Sequence, residues 1–309
     1  MAIHGTPARI QIDRAGIINL MDCAQKVPRR IAIGVHPQLP EAALEADRIV
    51  AFLKERDVEA FWGKMYDASF RQALENSCDM CIALGGDGTV LRAGHLCAPL
   101  HMPILGINLG RFGFLTEVKR DEWSGLLPSL LSGNYWLEGR MMLQATHQRG
   151  GRDLGSWSVL NEAVICRGQF VRPVKLRAQV DGYPLATYIA DGLIVATPTG
   201  STAYALAVGG PIMPPNLRNI LIVAVAPHLS VDRAIILAEG SVVTVTVNTS
   251  HQAVMSIDGQ PSITMEDGDQ VRVEANHNTA CFVRFRDRGY FYRNITNYME
   301  QNPAAGEPE

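Results

Sequence analysis

Residues Met80–Cys97 read MCIALGGDGTVLRAGHLC. An apolar run of strand length, a glycine turn and a run of helix formers follow one another without a break. That order is the mark of a buried strand feeding directly into a helix, one βα unit of an α/β layer. Upstream, RIAIGVHP (Arg30–Pro37) followed by EAALEADRIVAFLKERD (Glu41–Asp57) has the same logic, and downstream MPILGINLG (Met102–Gly110) adds a strand ending in glycine. Strands alternating with helices predict a mostly parallel sheet in this part of the chain.

Past about Arg140 the period changes. WSVLNEAVICRG (Trp157–Gly168), VKLRAQVDGYPLATYIADGLIVATP (Val174–Pro198), SVVTVTVN (Ser241–Asn248) and AVMSIDGQPSITMEDGDQVRVEAN (Ala253–Asn276) alternate with period two and are broken by Asp-Gly turns. They predict antiparallel strands, so the fold class is an N-terminal α/β domain joined to a C-terminal antiparallel β-rich domain. The expected boundaries are 1–28 for an N-terminal arm, 29–140 for the α/β domain, 141–275 for the β-rich domain and 276–309 for a C-terminal strand and helix with a frayed tail. HQRGGRDLGS, ahead of Trp157, reads as an exposed hairpin loop.

With 309 residues, 47% hydrophobic and 19% charged, the chain has the makeup of a folded globular protein. A formal charge of -3 disfavours a broad nucleic-acid or membrane surface, although it leaves room for a local basic pocket. No window approaches the run of about 18 apolar residues that a membrane span needs, and the expected location is the cytoplasm. Six cysteines, Cys23, Cys78, Cys81, Cys97, Cys166 and Cys281, sit mostly in apolar surroundings and read as reduced core thiols. Cys78 and Cys81 form a C-x-x-C, but no second Cys or His pair accompanies it.

Two loops carry the chemistry. In GGDGT (Gly85–Thr89), glycines let the backbone approach a ligand and the helix N-terminus offers free N–H groups to an anion. Asp87 is out of place if anion binding is the only task; it either orients a hydroxyl or metal beside a phosphate, or caps the helix. Neither a P-loop nor a G-x-G-x-x-G fingerprint is present. The second loop, TPTGSTAY (Thr197–Tyr204), puts five hydroxyl-bearing residues between an apolar run and an alanine-rich stretch. A Ser/Thr-capped helix explains one hydroxyl but not the set. Thr199, Ser201 and Thr202 are candidate donors to phosphate oxygens, and Tyr204 is a candidate for stacking on a base or sugar. Asn161 and Glu162 interrupt an otherwise apolar strand; the Asn amide matches an adenine edge, while a strand-end pair in water is the plainer alternative. Asp191 and Gln260 are polar residues at turns, Asp258-Gly259 reads as an ordinary turn signal, and Arg92 and Arg172 are single cations.

Taken in order, GGDGT, GINLGRFGFLTEV, LNEAVICRG, DGLIVATPTGSTAY with GGPI, and DGQ resemble the NAD kinase family from about Arg30 to Gln260. GGDGT alone is shared with diacylglycerol and sphingosine kinases and with phosphofructokinases; the NE pair followed by TPTGSTAY is far more specific. The resemblance implies a cleft that holds NAD, a C-terminal segment that returns to the first domain, and transfer of a phosphoryl group from ATP or inorganic polyphosphate to the 2′-hydroxyl of the adenosine ribose, giving NADP. By position it implies Asp87 as the catalytic acid with Gly88 beside it, and Asn161 and Glu162 at the adenine and ribose end. Asp191 would contact the other half of the dinucleotide, with Thr199, Thr202, Ala203, Tyr204 and Ala207 along the pocket. Arg92, Arg172 and Gln260 fall where some members contact ligand. A divalent cation, most simply Mg²⁺, is implied beside the donor phosphates, with no dedicated protein ligands visible. Members form homodimers or homotetramers.

The chain departs from the family pattern at Ala207, where a Ser is usual, and in PHLSVDRAIIL at Leu229, Ser230 and Ala234. Two other functions compete. One is a GGDGT-type lipid kinase, disfavoured by the loops that suit a dinucleotide. The other is a non-catalytic NAD or NADP sensor, disfavoured by Asp87, because a binder gains nothing from a carboxylate beside phosphates.

Overall fold

The computed structural model describes residues 25–76, 78–110, 113–228, 232–293 and 295. Most of the arm expected at 1–28, the tail, and Leu229 and Ser230 lie outside the described residues. The chain opens with β1 (Arg30–Val35), α1 (Pro40–Lys54), β2 (Glu59–Lys64), α2 (Ala68–Glu75), β3 (Met80–Gly85), α3 (Asp87–Cys97), β4 (Ile104–Asn108), β5 (Val118–Lys119) and α4 (Trp123–Leu131). β1 pairs in parallel with β2 and β3, and β3 with β4, as the alternation predicts. Side chains of successive strand residues point to opposite faces, and both faces are covered. Ile31, Ile33, Ile82 and Leu84 pack with Ile49 and Leu53 of α1 and Leu127 of α4. Ala32, Cys81 and Ala83 pack with Phe70 and Leu74 of α2 and Val90 and Ala93 of α3 on the other side.

The remaining elements are β6 (Trp136–Arg149), β7 (Arg152–Val159), β8 (Glu162–Arg167), β9 (Val174–Val180), β10 (Tyr183–Ala190), β11 (Gly192–Ala196), α5 (Tyr204–Ala207), β12 (Asn219–Val225), β13 (Ile235–Ala238), β14 (Val243–Asn248), β15 (Ala253–Ile257), β16 (Ile263–Met265) and β17 (Gln270–Arg284). Six of them form an antiparallel sheet in the order β13-β12-β11-β8-β15-β16. Its inner face packs on the antiparallel half of the large sheet through Ile165, Leu193, Leu176, Val245 and their neighbours. The loop read as a hairpin between His147 and Ser156 is tighter than expected: β6 and β7 pair as far as Arg149 and Arg152, leaving Gly150 and Gly151 at positive φ as the turn.

The two halves are not separate sheets. β17 pairs with β14 and β6 at its start, passes a register shift between Ala275 and Thr279, and then sets Phe282 beside Ile104 of β4 in parallel. The returning C-terminal segment therefore begins inside this strand, and the boundaries expected near 140 and 275 fall within β6 and β17. Cys78, Cys81, Cys97 and Cys166 are free thiols. Cys281 corrects the reading of six reduced cysteines, being disulfide-bonded. Among the described residues no helix is long and apolar enough to cross a membrane.

Candidate active site

The β3–α3 turn is shaped by glycine. Gly85 has φ +156, and a Cβ there would press on the Thr89 side chain. Asp87 is the first residue of α3, and the cap position belongs to Gly86. The Asp87 carboxylate turns away from its own helix and accepts the backbone N–H groups of Phe114 (2.8 Å) and Leu115 (3.2 Å). This decides between the two roles open to it from sequence: it is not the helix cap. Part of its surface stays open to solvent while protein atoms crowd the carboxylate. Burial pushes its pKa up, against the pull of the two N–H groups and of Arg140 and Arg284.

Those arginines belong to a buried cluster that the sequence did not reveal. Glu138 accepts from Nε of Arg140 (3.0 Å) and Nε of Arg284 (2.9 Å), and Arg284 Nη1 donates to the Leu115 carbonyl (3.1 Å). Arg140 and Arg284 are 3% and 5% exposed. Burial opposes the Glu138 charge, yet the two guanidiniums bring its pKa down to about 2. The same residues line a cleft with Phe114, Thr116 and Glu117. The loop that holds Asp87 is thus itself held from behind.

Glu162 opens β8, and Asn161 stands just before it. The Asn161 carbonyl accepts Thr197 N–H (2.9 Å), and its side chain remains partly exposed. Glu162 is 6% exposed and its Oε2 has no partner. Burial first, and then the charge of Asp258, raise its pKa to about 8, opposed by the backbone N–H of Tyr204. Asp258, read from sequence as an ordinary turn residue, lies beneath the pair. Its Oδ1 accepts the N–H groups of Asn161 and Glu162 (both 2.8 Å); its Oδ2 accepts Leu160 N–H (2.7 Å) and pairs with His95 Nε2 (2.7 Å).

Most hydroxyls of TPTGSTAY serve the loop itself. Thr197 Oγ1 donates to the Leu160 carbonyl (2.5 Å) and accepts Gly200 N–H (3.1 Å). Ser201 Oγ donates to Pro198 (2.6 Å) and accepts Met213 N–H (2.9 Å), and Thr202 Oγ1 donates to Thr199 (3.0 Å). Thr199 Oγ1 is buried without a partner. Gly200 is obligatory because a Cβ would overlap the Asn161 carbonyl. The alanine-rich stretch makes only a single helical turn, α5, on which Tyr204 is 43% exposed and Ala207 open. Asp191 pairs with Arg167 (3.0 Å). The charges of Asp191, Arg167 and Glu162 all act on the Tyr204 phenol, which puts these residues in one neighbourhood.

Helix α3 connects the two loops. Asp87 stands at its start; Gly94 and His95, two turns on, meet Leu160 and Asp258. At 1.5 Å per residue the span from Asp87 to His95 is about 12 Å. Arg92 lies on this helix with its guanidinium 5.6 Å from the Tyr66 ring and a buried, unpartnered Nε. Gly88 is exposed with open space beside it. Gln260 is exposed just past Asp258, and Arg172 is exposed in the loop between β8 and β9. Among the described residues no three His, Cys, Asp or Glu side chains gather that could hold a metal ion.

A carboxylate stands at a glycine-turned helix start, and two turns on the same helix meets the polar strand-end loop, an arrangement of the kind phosphotransferases use. The family profile of the ATP-NAD kinase N-terminal domain matches residues 31–135, and that of the ATP-NAD kinase C-terminal domain matches residues 160–285. The chain is 39% identical to the NAD kinase of Chloroflexus aurantiacus, over 88% of this chain and 99% of that protein. It is 36% identical to the NAD kinase of Natranaerobius thermophilus, over 84% of this chain and 95% of that one. Similar solved structures include an NAD kinase from Archaeoglobus fulgidus in complex with ATP (TM-score 0.71, 25% identity, 88% of this chain, 99% of that one). A yeast NADH kinase complexed with NADH shares the fold (TM-score 0.79, 23% identity, 92% of this chain, 91% of that one). The chain belongs to the NAD kinase family, a family of phosphotransferases.

Proposed function

We propose that the cleft between the Asp87 loop and the Asn161–Glu162 and Thr197–Tyr204 loops binds NAD and phosphorylates the 2′-hydroxyl of its adenosine ribose. The observation that carries this reading is the Asp87 carboxylate, turned from its helix, held by two N–H groups and raised in pKa by burial. The ribose oxygen attacks the terminal phosphorus of ATP; the new O–P bond forms as the bond to the leaving ADP oxygen breaks, and the hydroxyl proton passes to Asp87. Phosphoryl transfer asks for this positioning and proton acceptance rather than for a covalent nucleophile.

The other roles follow the same reading. Asn161 takes the adenine edge. Glu162, with an unpartnered oxygen, takes a ribose hydroxyl. Asp191, Thr199, Thr202, Ala203 and Tyr204 line the remainder, and Ala207 leaves a family hydrogen bond to water. Arg92 and Gly88 face the phosphates, whereas Arg172 and Gln260 contact ligand from the rim. A divalent cation, most simply Mg²⁺, would accompany the donor and neutralise charge on its phosphates. Inorganic polyphosphate is the alternative donor to ATP. The protein acts in the cytoplasm as a homodimer or homotetramer.

The test is NADP formation by the purified protein with NAD and Mg²⁺, comparing ATP with polyphosphate. Turnover with either donor supports the reading and names the donor. NAD binding without turnover would point to a sensor, and labelled lipid without NADP to a lipid kinase.

A further inference from the structure

Asp258 has a carboxylate with four partners and a side chain 0% exposed. A turn at Asp258-Gly259 requires only the positive φ values found there, +49 and +69. It does not require three consecutive backbone N–H groups, from Leu160, Asn161 and Glu162, to converge on one side chain at 2.7–2.8 Å. Nor does it require the fourth partner, His95 Nε2 at 2.7 Å, which comes from α3 in the other half of the molecule. The next contact along α3 repeats the link: a Cβ on Gly94 would stand 2.6 Å from Leu160 Cδ2, so helix and loop are already at closest approach. The return bond, Asp258 N–H to the Glu162 carbonyl (3.0 Å), closes the set.

We propose that Asp258 and His95 are positioning residues for the reaction: Asp258 gathers the 160–162 backbone so that Asn161 and Glu162 face the cleft, and His95 fixes that loop to the helix whose first residue is Asp87. The inference rests on the NAD kinase reading and deepens it. Three parallel N–H donors are matched by a carboxylate and mismatched by an amide, which must turn one N–H₂ toward them. With the carboxylate in place the loop has one conformation, and through His95 the separation between the dinucleotide-holding pair and Asp87 is set by a rigid helix. The buried charge also adds to the raised pKa of Glu162, in line with its closeness to that side chain.

The experiment compares wild type, Asp258→Asn, His95→Ala and His95→Gln in the full chain. It reads kcat and KM for NAD, the Kd of NAD by calorimetry without donor, and the thermal midpoint. Asp258→Asn should weaken NAD binding about tenfold or more, as loss of the matched acceptor for the binding loop requires. His95→Ala should lower kcat by about tenfold with a smaller change in Kd, because the loop keeps its shape and loses its tie to α3. His95→Gln should recover kcat to within about threefold of wild type, since Gln Nε2 can donate from nearly the same place. If Asp258→Asn does not fold, the His95 pair decides the matter alone. The proposal is overturned if folded His95→Ala keeps kcat and Kd within about twofold of wild type, or if Gln fails to restore what Ala loses. A wild type that binds NAD but makes no NADP would sink the kinase reading and leave the Kd comparison to judge Asp258. A wild type that does not bind NAD would overturn both.

Discussion

The Asp87 carboxylate lies directly over Gly113, in the space where any larger residue would carry its Cβ. The next two residues, Phe114 and Leu115, supply the N–H groups that hold it. Gly113→Ala must therefore push Asp87 off this seat. The expected outcome is a loss of about 10²-fold in kcat, the usual penalty for misplacing a catalytic group by about 1 Å. NAD affinity should change little, and steady-state kinetics beside calorimetry checks both.

On the proposed mechanism, Asp87→Asn keeps the shape and removes the proton acceptor. Turnover should fall by about 10²–10⁴-fold, the range for general-base catalysis, with NAD binding largely intact. Binding lost in proportion to rate would instead make Asp87 a binding or structural residue.

Periodicity made the alternation of β1–α1 and β3–α3 legible because each element carries its own apolar pattern, and GGDGT and TPTGSTAY stood out because their residue types are improbable for packing alone. What stayed hidden depends on pairings remote in sequence. Asp258 looks like any Asp-Gly turn until Leu160 and His95 are seen around it. Glu138, Arg140 and Arg284 look like strand residues exposed to solvent until β17 lies against β6 and buries them together. The hydroxyls misled in the opposite direction. Ser201 and Thr202 look free to meet a ligand, yet their hydroxyls donate to the Pro198 and Thr199 carbonyls of the loop, and Ser201 also accepts Met213 N–H.

Arg284 ties the Leu115 carbonyl to Glu138 and adds a positive charge near Asp87. Arg284→Met should shift the acid limb of the kcat/KM profile to higher pH. The sign follows from the proposed mechanism, in which the base form is the active one: activity is lost as pH falls through the Asp87 pKa, and removing a cation raises that pKa further. A pH–rate profile of the variant against wild type tests this, and an unmoved or lowered limb would contradict it.

Glu138 is the counter-charge for two buried guanidiniums, and Glu138→Gln should cost roughly 3–5 kcal/mol, as breaking a buried ion pair does. Its folded pKa of about 2 lies below its ordinary 4.5, so its contribution to stability is present above about pH 4.5 and is lost as pH falls toward 2. Chemical denaturation at pH 7 and at pH 3 measures it; the gap between wild type and variant should narrow at the lower pH.

Glu162 titrates in the opposite sense. Its folded pKa of about 8 lies above its ordinary 4.5, so the folded state without ligand favours the protonated acid. The associated stability is complete below about pH 4.5 and disappears as pH rises through 8. Glu162→Gln, neutral at every pH and of the same shape, should abolish that decline. The variant without NAD should therefore melt no lower than wild type at pH 5 and higher than wild type at pH 8.5, with the difference growing across the interval. The same change should weaken NAD binding about tenfold, because an amide cannot offer the ribose a second acceptor oxygen in place of the unpartnered Oε2. Stability gained at high pH together with affinity lost is what a buried carboxylate held for a ligand predicts; a variant less stable at both pH values would show that the charged form is satisfied inside the fold.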